Sequence, residues 1–418
     1  SIYGFVPGMI AHIGVMVNLF FTMGILASFQ AVLTLSGIAG LVLSMGVAVD
    51  ANVLIYERTK EELRAGKNLK KAISDGYENA FSAIFDANLT SIITGVILFM
   101  FGTGPIKGFA TTLIIGIITS FFTAVFMTRM VYETGLDKGW FKNLTFATSF
   151  TKNLLVNTKI DFVKLRKKGY IFSAILIVIF VISFVTRGLN QGIDFTGGRN
   201  YVIRFDHPVN TEDLQSELSS KFGTASLSVI TIGGENQVRI TTNYKIEESN
   251  ATIDDEVDGL LYEGLKKELK EGTTKESFVT DYIQSSQKVG PAIAKDITYG
   301  AIWALFLSTI AMGLYILFRF RDLSFSLGTI ASLLHDTLII IGVYSLFYGI
   351  IPFSMEIDQA FIAAILTVIG YSVNDTVVIF DRIREIIGLY PKRSVKRRIN
   401  DALNTTLART FSTSLSTA

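Results

Sequence analysis

Long apolar blocks separated by short polar stretches dominate the chain. Blocks of roughly 20 mostly apolar residues, the length that crosses a bilayer as a helix, fall at about 8–29, 34–56, 78–100, 108–131, 169–187, 297–318, 325–347, 358–381 and 400–418. Gly-Pro and Pro-Gly pairs punctuate the turns, as at Pro7-Gly8 and Gly104-Pro105. Both ends of the chain lie in apolar regions, so the last helix is expected to be incomplete and both ends to be cut points of a longer protein. Between the fifth and sixth blocks the pattern changes. Residues 188–295 read strand (about 200–206), helix (211–222), strand (226–232), strand (236–242), helix (255–271), strand (277–287). That βαββαβ order predicts a ferredoxin-like α+β domain, with Gly233-Gly234 supplying the tight turn between the middle strands. The expected fold class is a polytopic α-helical membrane protein with one α+β domain.

Composition agrees with lipid as the surroundings. Half of the 418 residues are apolar and only 18% are charged. The chain has no cysteine, which excludes disulfides and thiolate chemistry. His12, His207 and His335 are its three histidines and form no metal-ligand cluster in sequence, so no metal or cofactor is expected. The small net charge of +2 hides a sorting along the chain. Arg58 to Lys71, Lys159 to Lys168 and Arg382 to Arg398 are strongly basic, whereas the turns near Ser28–Thr34 and 102–106 carry almost no positive charge. Alternating nine spans puts all three basic loops, and Arg319 with Arg321, on one face. Retention of basic loops makes that face cytoplasmic. The acidic 188–295 domain is then periplasmic, and its Asp254, Asp255, Glu256 and Asp258 read as a solvated face rather than a docking patch. No nucleic-acid partner is expected.

An internal repeat carries more information. Residues 46–58 read GVAVDANVLIYER and residues 370–382 read GYSVNDTVVIFDR, with five of thirteen positions identical. Downstream, KKAISDGYENAFSAIFDANL from Lys70 resembles KRRINDALNTTLARTFSTSL from Lys396, and upstream Val17-Asn18-Leu19 stands where His335-Asp336-Thr337 stands. Both copies end at a basic loop, so the halves are parallel pseudo-repeats, and ion sites in transporters of this kind lie between the repeats.

Polar groups interrupt the apolar blocks at Asp50, Asn52, Asp86, Asp336, Asn374, Asp375 and Arg409. A carboxylate at a helix centre costs about 2.5–3.5 kcal/mol on the insertion scale. Asp50 lies seven residues before Glu57, hence about 10 Å inside the boundary at 1.5 Å per residue. Asp375 lies at nearly the same depth, offset by one repeat position, so that Asp50 aligns with Asn374 and Ala51 with Asp375. Arg409 stands where the first half has Ala83. A guanidinium keeps its charge while a carboxylate can take up a proton, so Asp50, Asp375 and Arg409 are the candidate proton relay. Asn52, Asn374, Asp86, Asp336 and His335 are supporting polar residues. Packing between helices is the competing reading, weighing as much as function for Asn18, Asn52 and Asn374 and less for Asp50, Asp375 and Arg409, because ionisable groups are a costly way to gain packing. Gly37, Gly40, Gly46 and Gly370 permit close helix approach, and Glu57-Arg58 and Asp381-Arg382 end helices or pair at the interface.

Several long motifs resemble one family. VDANVLIYER with DANLTSIITG after it looks like the membrane part of SecD. GIDFTGG at 192–198, VGP at 289–291, LLHD at 333–336, YSVNDTVVIFDRIRE at 371–385 and LART at 407–410 look like SecF. The resemblance covers nearly the whole chain and places it in the SecD/SecF family of the resistance-nodulation-division superfamily. It implies an organisation of 1–133 as a partial SecD-like transmembrane half, 134–168 as a cytoplasmic linker, 169–187 as the first SecF-like helix, 188–295 as a periplasmic domain and 296–418 as a partial SecF-like bundle. A first SecD helix, a large periplasmic head and a last SecF helix have no counterpart in these residues. Carried over by motif, the family's intramembrane acids match Asp50 and Asp375, and its arginine matches Arg409.

The implied function is a non-enzymatic accessory role at the Sec translocon of the bacterial inner membrane, with proton flow driving periplasmic movements that aid an emerging preprotein. Implied partners are the SecYEG channel, an accessory membrane insertase, unfolded preprotein and the lipid bilayer. Protons are the expected coupling ion, and sodium suits the same carboxylates and asparagines. Two alternatives stay open: a proton-driven exporter of small molecules or lipids on the same plan, and an intramembrane aspartyl protease using two buried aspartates.

Overall fold

The computed structural model describes residues 3–141, 144–148, 158–248, 250–351 and 354–417. The 142–143 and 149–157 parts of the expected 134–168 linker therefore lie outside the described residues. The chain divides into two compact units, one of Ser1–Gly188, Trp303–Leu346 and Ala360–Ala418, the other of Leu189–Ile302 and Phe347–Gln359.

The larger unit is helical. Its first half holds α1 (Phe5–Ser28), α2 (Leu35–Arg64), α3 (Leu69–Phe101), α4 (Gly104–Phe122) and α5 (Thr128–Asp137), with a π-turn, Thr123–Met127, joining α4 to α5. Helix starts follow local chemistry: Thr34 accepts a hydrogen bond from Gly37 N and Asn68 one from Lys71 N, satisfying donors that have no partner inside the helix. α2 lies against α3 and α4. The approach of α2 to α4 needs Gly40, because a Cβ there would stand 2.6 Å from Phe109 O and 2.5 Å from Thr112 Oγ1.

The second half begins with α6 (Phe162–Arg187), capped by Asp161. It continues, after the smaller unit, with α11 (Pro291–Phe320), α12 (Leu323–Phe347), α13 (Gln359–Leu389) and α14 (Val395–Thr417). α6 packs on α12 through Ser183 Oγ and Ser345 Oγ, 3.0 Å apart, and through Phe180 against Gly342. Among the described residues eight helices are long and apolar enough to cross a membrane. The ninth expected span, about 400–418, is helical as α14, yet Lys396, Arg397, Arg398, Asp401 and Arg409 with the Ser and Thr residues between them leave it too polar to meet the same measure. α2 and α13 also run past the expected helix ends, so Glu57, Arg58, Asp381 and Arg382 pair rather than terminate helices.

The smaller unit holds α7 (Ile193–Thr196), β1 (Gly198–Arg204), α8 (Thr211–Phe222), β2 (Leu227–Thr231), β3 (Gln237–Thr242), α9 (Ala251–Leu265), α10 (Lys275–Ser277) and β4 (Ile283–Val289). The sheet order is β2-β3-β1-β4 with every pair antiparallel, the ferredoxin-like arrangement. Tyr201 pairs with Ile240 and Val229 with the same Ile240, so period-2 side chains share one face. Leu214, Leu218 and Phe222 on α8 and Ile253, Val257, Leu261 and Leu265 on α9 recur every four residues and complete that core. The second helix starts and ends earlier than its expected 255–271. The last strand begins later than 277, because a π-turn at Phe278–Tyr282 precedes it.

Asp254, Asp255 and Glu256 are exposed as a solvated face requires, with 50%, 79% and 40% of their side chains open to solvent, and each also meets a cation at the surface. Asp254 pairs with Arg199 (3.0 Å) and Lys288 (2.9 Å), Asp255 with Lys275 (2.6 Å) and Glu256 with Lys245 (2.9 Å). Hydrogen bonds from these lysines hold the Asp254 and Glu256 carboxyls below their usual range, while burial raises that of Asp258. Residues 347–359 also belong to this unit. Gln191 bridges Ile357, Arg239 reaches Glu356 at 3.1 Å, and Asp194 Oδ2 accepts from the first backbone N–H of α13, Gln359 N, at 3.0 Å.

Two outcomes follow. Ile240 is fully buried, so Ile240→Ala costs the α+β domain about 2–5 kcal/mol, read as faster hydrogen exchange in β1 and β3 with unchanged exchange in α2 and α4. Asp161 is held near pH 2, from an ordinary 3.8, by Asn400 and the Lys164 N–H. Its folded-state value is depressed, so its contribution is present above 3.8 and is lost as pH falls through the folded value. The exchange rate of Val163 N–H, which Asn400 Oδ1 accepts at 3.0 Å, is expected to stay low above pH 4 and, after correction for intrinsic exchange, to rise on acidification toward pH 2.

Candidate functional site: the centre between the two halves

α2 and α13 carry the two copies of the repeat, and the structure joins them at the aligned position. Asn374 Nδ2 donates to Asp50 Oδ2 at 2.8 Å, with both residues buried. Asp375 and Arg409 stand within electrostatic range of Asp50 and of each other, and the hydroxyl of Thr413 on α14 adjoins the same carboxylate. All three residues of the candidate relay are thus together. Backing for the centre comes from α3: Gly370 on α13 faces Thr94 and Ser91, where a Cβ would stand 3.2 Å from Thr94 Oγ1.

Charge and hydrogen bonding are incompletely matched here. Asp50 Oδ1, Asn52 Oδ1, Asn374 Oδ1 and Arg409 Nε and Nη2 are buried without a hydrogen-bond partner, whereas buried polar atoms are ordinarily satisfied. Two carboxylates face one guanidinium, so the fully ionised set carries one excess negative charge. One bound proton removes it. Such a set can exist in two charge states of differing solvation cost.

The supporting residues divide into separate groups. Asn52 donates to Ala48 O (3.1 Å) on its own helix and lines, with His12, a cavity of about 510 Å³ between α1 and α2. Asp336 accepts from Ser372 Oγ on α13 at 2.6 Å and from His335 Nδ1 at 3.0 Å, and His335 Nε2 meets Ser173 Oγ of α6 at 2.6 Å. This chain ties α6, α12 and α13 together. The repeat mate of Asp336, Asn18, instead accepts from Thr119 within the first half at 2.6 Å.

Asp86 belongs to a second contact between the halves. Its carboxylate accepts from Tyr315 Oη (2.6 Å) and Arg319 Nε (2.7 Å) of α11, while Arg319 Nη2 donates to Ser82 Oγ (2.7 Å) and lies 3.6 Å from Asp381. A third contact closes the basic end. Arg58 pairs with Glu61 and Arg382 with Glu385, both at 2.8 Å, and the pairs cross between halves as Arg58–Glu385 (3.6 Å) and Arg382–Glu61 (3.9 Å). The ring is pseudo-symmetric, because Arg58 and Glu61 are the repeat mates of Arg382 and Glu385. Sequence reasoning allowed Arg58 and Arg382 to pair at the interface but named neither their partners across the halves nor the Asp86–Arg319 contact. Arg319 had been counted only as a charge that orients the chain, although the repeat offset already aligned the four ring residues.

Known proteins support the same frame. The family described as "Protein export membrane protein SecD/SecF, C-terminal" matches residues 3–135 and 269–418. The chain belongs to the SecD/SecF family. A further "SecD/SecF GG Motif" matches residues 182–209, a stretch containing Gly197 and Gly198. Both have positive φ, and a Cβ on Gly198 would stand 2.9 Å from Ile193 Cγ2. Among SecD/SecF relatives, the protein translocase subunit SecDF of Bacillus subtilis is 36% identical over 98% of this chain and 54% of its own length. The crystal structure of SecDF, a translocon-associated membrane protein from Thermus thermophilus, superposes with a TM-score of 0.84 at 32% identity, covering 99% of this chain and 53% of that one. A SecDF structure in a super-membrane-facing form gives 0.70 at 31% identity over the same shares. The chain spans about half the length of these relatives.

The Asp86 contact generates a stability test. Asp86→Ala removes the acceptor of Tyr315 and of Arg319 Nε, while Arg319, one-quarter exposed, keeps Ser82 and Asp381, and it is expected to destabilise the helical unit by about 1–3 kcal/mol, measured by thermal unfolding in detergent. Asp86→Leu combined with Arg319→Met and Tyr315→Phe is expected to recover most of that loss.

Proposed function

We propose that this chain serves Sec-dependent protein export as a proton-coupled, non-enzymatic factor of the bacterial inner membrane. The observation that carries the reading is the Asp50–Asn374 hydrogen bond between the two halves, with Asp375 and Arg409 in electrostatic range. Asp50, Asp375 and Arg409 form the relay. Proton uptake removes the excess negative charge, weakens the hold of Arg409 and of the Asn374 amide on Asp50, and lets α2 and α13 repack. Release restores the ionised set. Moving one charge through the membrane supplies about 2.3 kcal/mol per 100 mV, enough to bias a two-state equilibrium by one or two powers of ten.

In this reading the Asp86–Arg319 contact and the basic-end ring keep the halves in register while the centre changes. The basic face is cytoplasmic, and the α+β domain is periplasmic, where it moves as α13 repacks and acts on an unfolded preprotein. The SecYEG channel and an accessory membrane insertase are the partners. Similarity to proteins called translocase subunits and translocon-associated favours this over a small-molecule or lipid exporter. An aspartyl protease would need its two carboxylates to share a proton at about 3 Å. Asp50 instead bonds Asn374, with a guanidinium nearby.

The test uses inverted membrane vesicles carrying the protein. Asp50→Asn and Asp375→Asn are each expected to insert normally and to abolish the part of preprotein export that a proton gradient stimulates. Normal stimulation in either variant contradicts the mechanism, and stimulation that follows a sodium gradient instead assigns the centre to sodium.

A further inference from the structure

Away from the centre, the basic face holds a pocket of about 360 Å³ where the segment leading into α6 meets the start of α14. The chain's own hydrogen bonds build its floor. Asn400 Nδ2 donates to Asp161 Oδ1 (2.7 Å), Asn404 Nδ2 donates to Ile160 O (2.8 Å), and Asn404 Oδ1 accepts from Ile160 N (2.9 Å). The two carboxylates that line it are engaged: Asp161 with Lys396 at 3.1 Å and Asp401 with Arg393 at 2.9 Å. Lys159 and Arg397 also line the pocket, are exposed, and have no acidic partner within 4 Å among the described residues.

The next turns of α6 change character. Lys164, Arg166, Lys167 and Lys168 are exposed, and Leu165, Tyr170, Ile171 and Phe172 are 45–68% exposed. At 1.5 Å per residue, the apolar surface begins about 6 Å from Asp161 and continues beyond about 15 Å. A concave cationic site at one end and a bare apolar helix face at the other match the length profile of a phospholipid, with headgroup phosphate below and acyl chains above. A basic loop retained only for orientation needs neither a built floor nor unpaired cations directed into a pocket. Basic pockets between membrane helices on the cytoplasmic side are suited to anionic headgroups, and a guanidinium can hold two phosphate oxygens at once.

We propose that this pocket binds the phosphate of an anionic phospholipid, with Lys159 and Arg397 as its ligands and the exposed face of α6 as the seat of the acyl chains. The site shares no residue with the Asp50 centre, so the two readings stand or fall separately. Phosphate oxygens are the common recognition element of a lipid headgroup and of free phosphate. The acyl seat on α6 assigns the lipid.

The full chain, reconstituted in nanodiscs of phosphatidylcholine with phosphatidylglycerol and then ejected for native mass spectrometry, reads the retained lipid directly. Wild type is expected to retain one phosphatidylglycerol that Lys159→Gln/Arg397→Gln loses, with apparent affinity falling about fivefold per charge removed. Lys167→Gln/Lys168→Gln removes the same charge from α6 outside the pocket and is expected to keep the lipid, as is the charge-preserving Lys159→Arg/Arg397→Lys. Equal retention in wild type and the pocket variant overturns the proposal, and so does equal loss in the pocket and control variants. In nanodiscs of phosphatidylcholine alone, inorganic phosphate is expected to bind weakly and to be displaced by added phosphatidylglycerol. Phosphate that phosphatidylglycerol does not displace makes free phosphate the ligand and overturns the lipid assignment.

Discussion

An amide donating to a carboxylate between two helices, at a depth where water is scarce, is the contact on which the rest turns. The bond from Asn374 to Asp50 joins aligned positions of an internal repeat. Each copy places a polar side chain on the helix that meets its counterpart, and the copies differ in what they place there. One copy offers a carboxylate and the other an amide, so the pair bonds without a shared titratable proton, and Asp375, displaced by one residue, stands within electrostatic range of both Asp50 and Arg409. A strictly symmetric pair of aspartates would repel when ionised. Under the proposed proton coupling, breaking the symmetry by one residue keeps the amide–carboxylate bond between the helices and supplies a second acid that can take the proton.

The helices around this centre are held at three levels. Small residues set spacing, as where Gly370 meets Thr94 and Ser91. The Asp86, Tyr315 and Arg319 contact fixes α3 against α11, and the ring of Arg58, Glu61, Arg382 and Glu385 closes the basic end. The ring's inter-half distances, 3.6 and 3.9 Å, are longer than its 2.8 Å pairs within each helix. The halves are therefore joined there by the longer members of the network.

Much of this was legible in the residues, for physical reasons that differ by element. Eight spans and the βαββαβ domain announce themselves because lipid demands long apolar runs and a sheet demands alternation, and both periods survive in the sequence. Asp50, Asp375 and Arg409 stood out because charge within an apolar run is costly. The boundaries were less legible: α2 and α13 extend a full turn or more beyond their apolar cores because Arg58–Glu61 and Arg382–Glu385 sustain the helix where hydropathy no longer reports on it. Residues 347–359 joined the α+β unit through Arg239–Glu356 and Asp194–Gln359, contacts distant in sequence that no local pattern encodes. Arg319 was hidden for the same reason, since at the edge of a span a cation reads as an anchor until its partner on α3 is in view.

The central claim is that proton binding at Asp50 and Asp375 changes how α2 and α13 pack. Its most direct measurement is the distance between spin labels on the ends of those two helices away from the basic face, beyond the ring that holds the halves in register, followed by pulsed electron resonance as pH is stepped, in wild type and in a variant with both acids amidated. The account predicts two distance populations in wild type, exchanging with one midpoint, and a single pH-independent population in the variant. A wild-type distance distribution that stays the same while infrared difference spectra show the carboxylates titrating would contradict it.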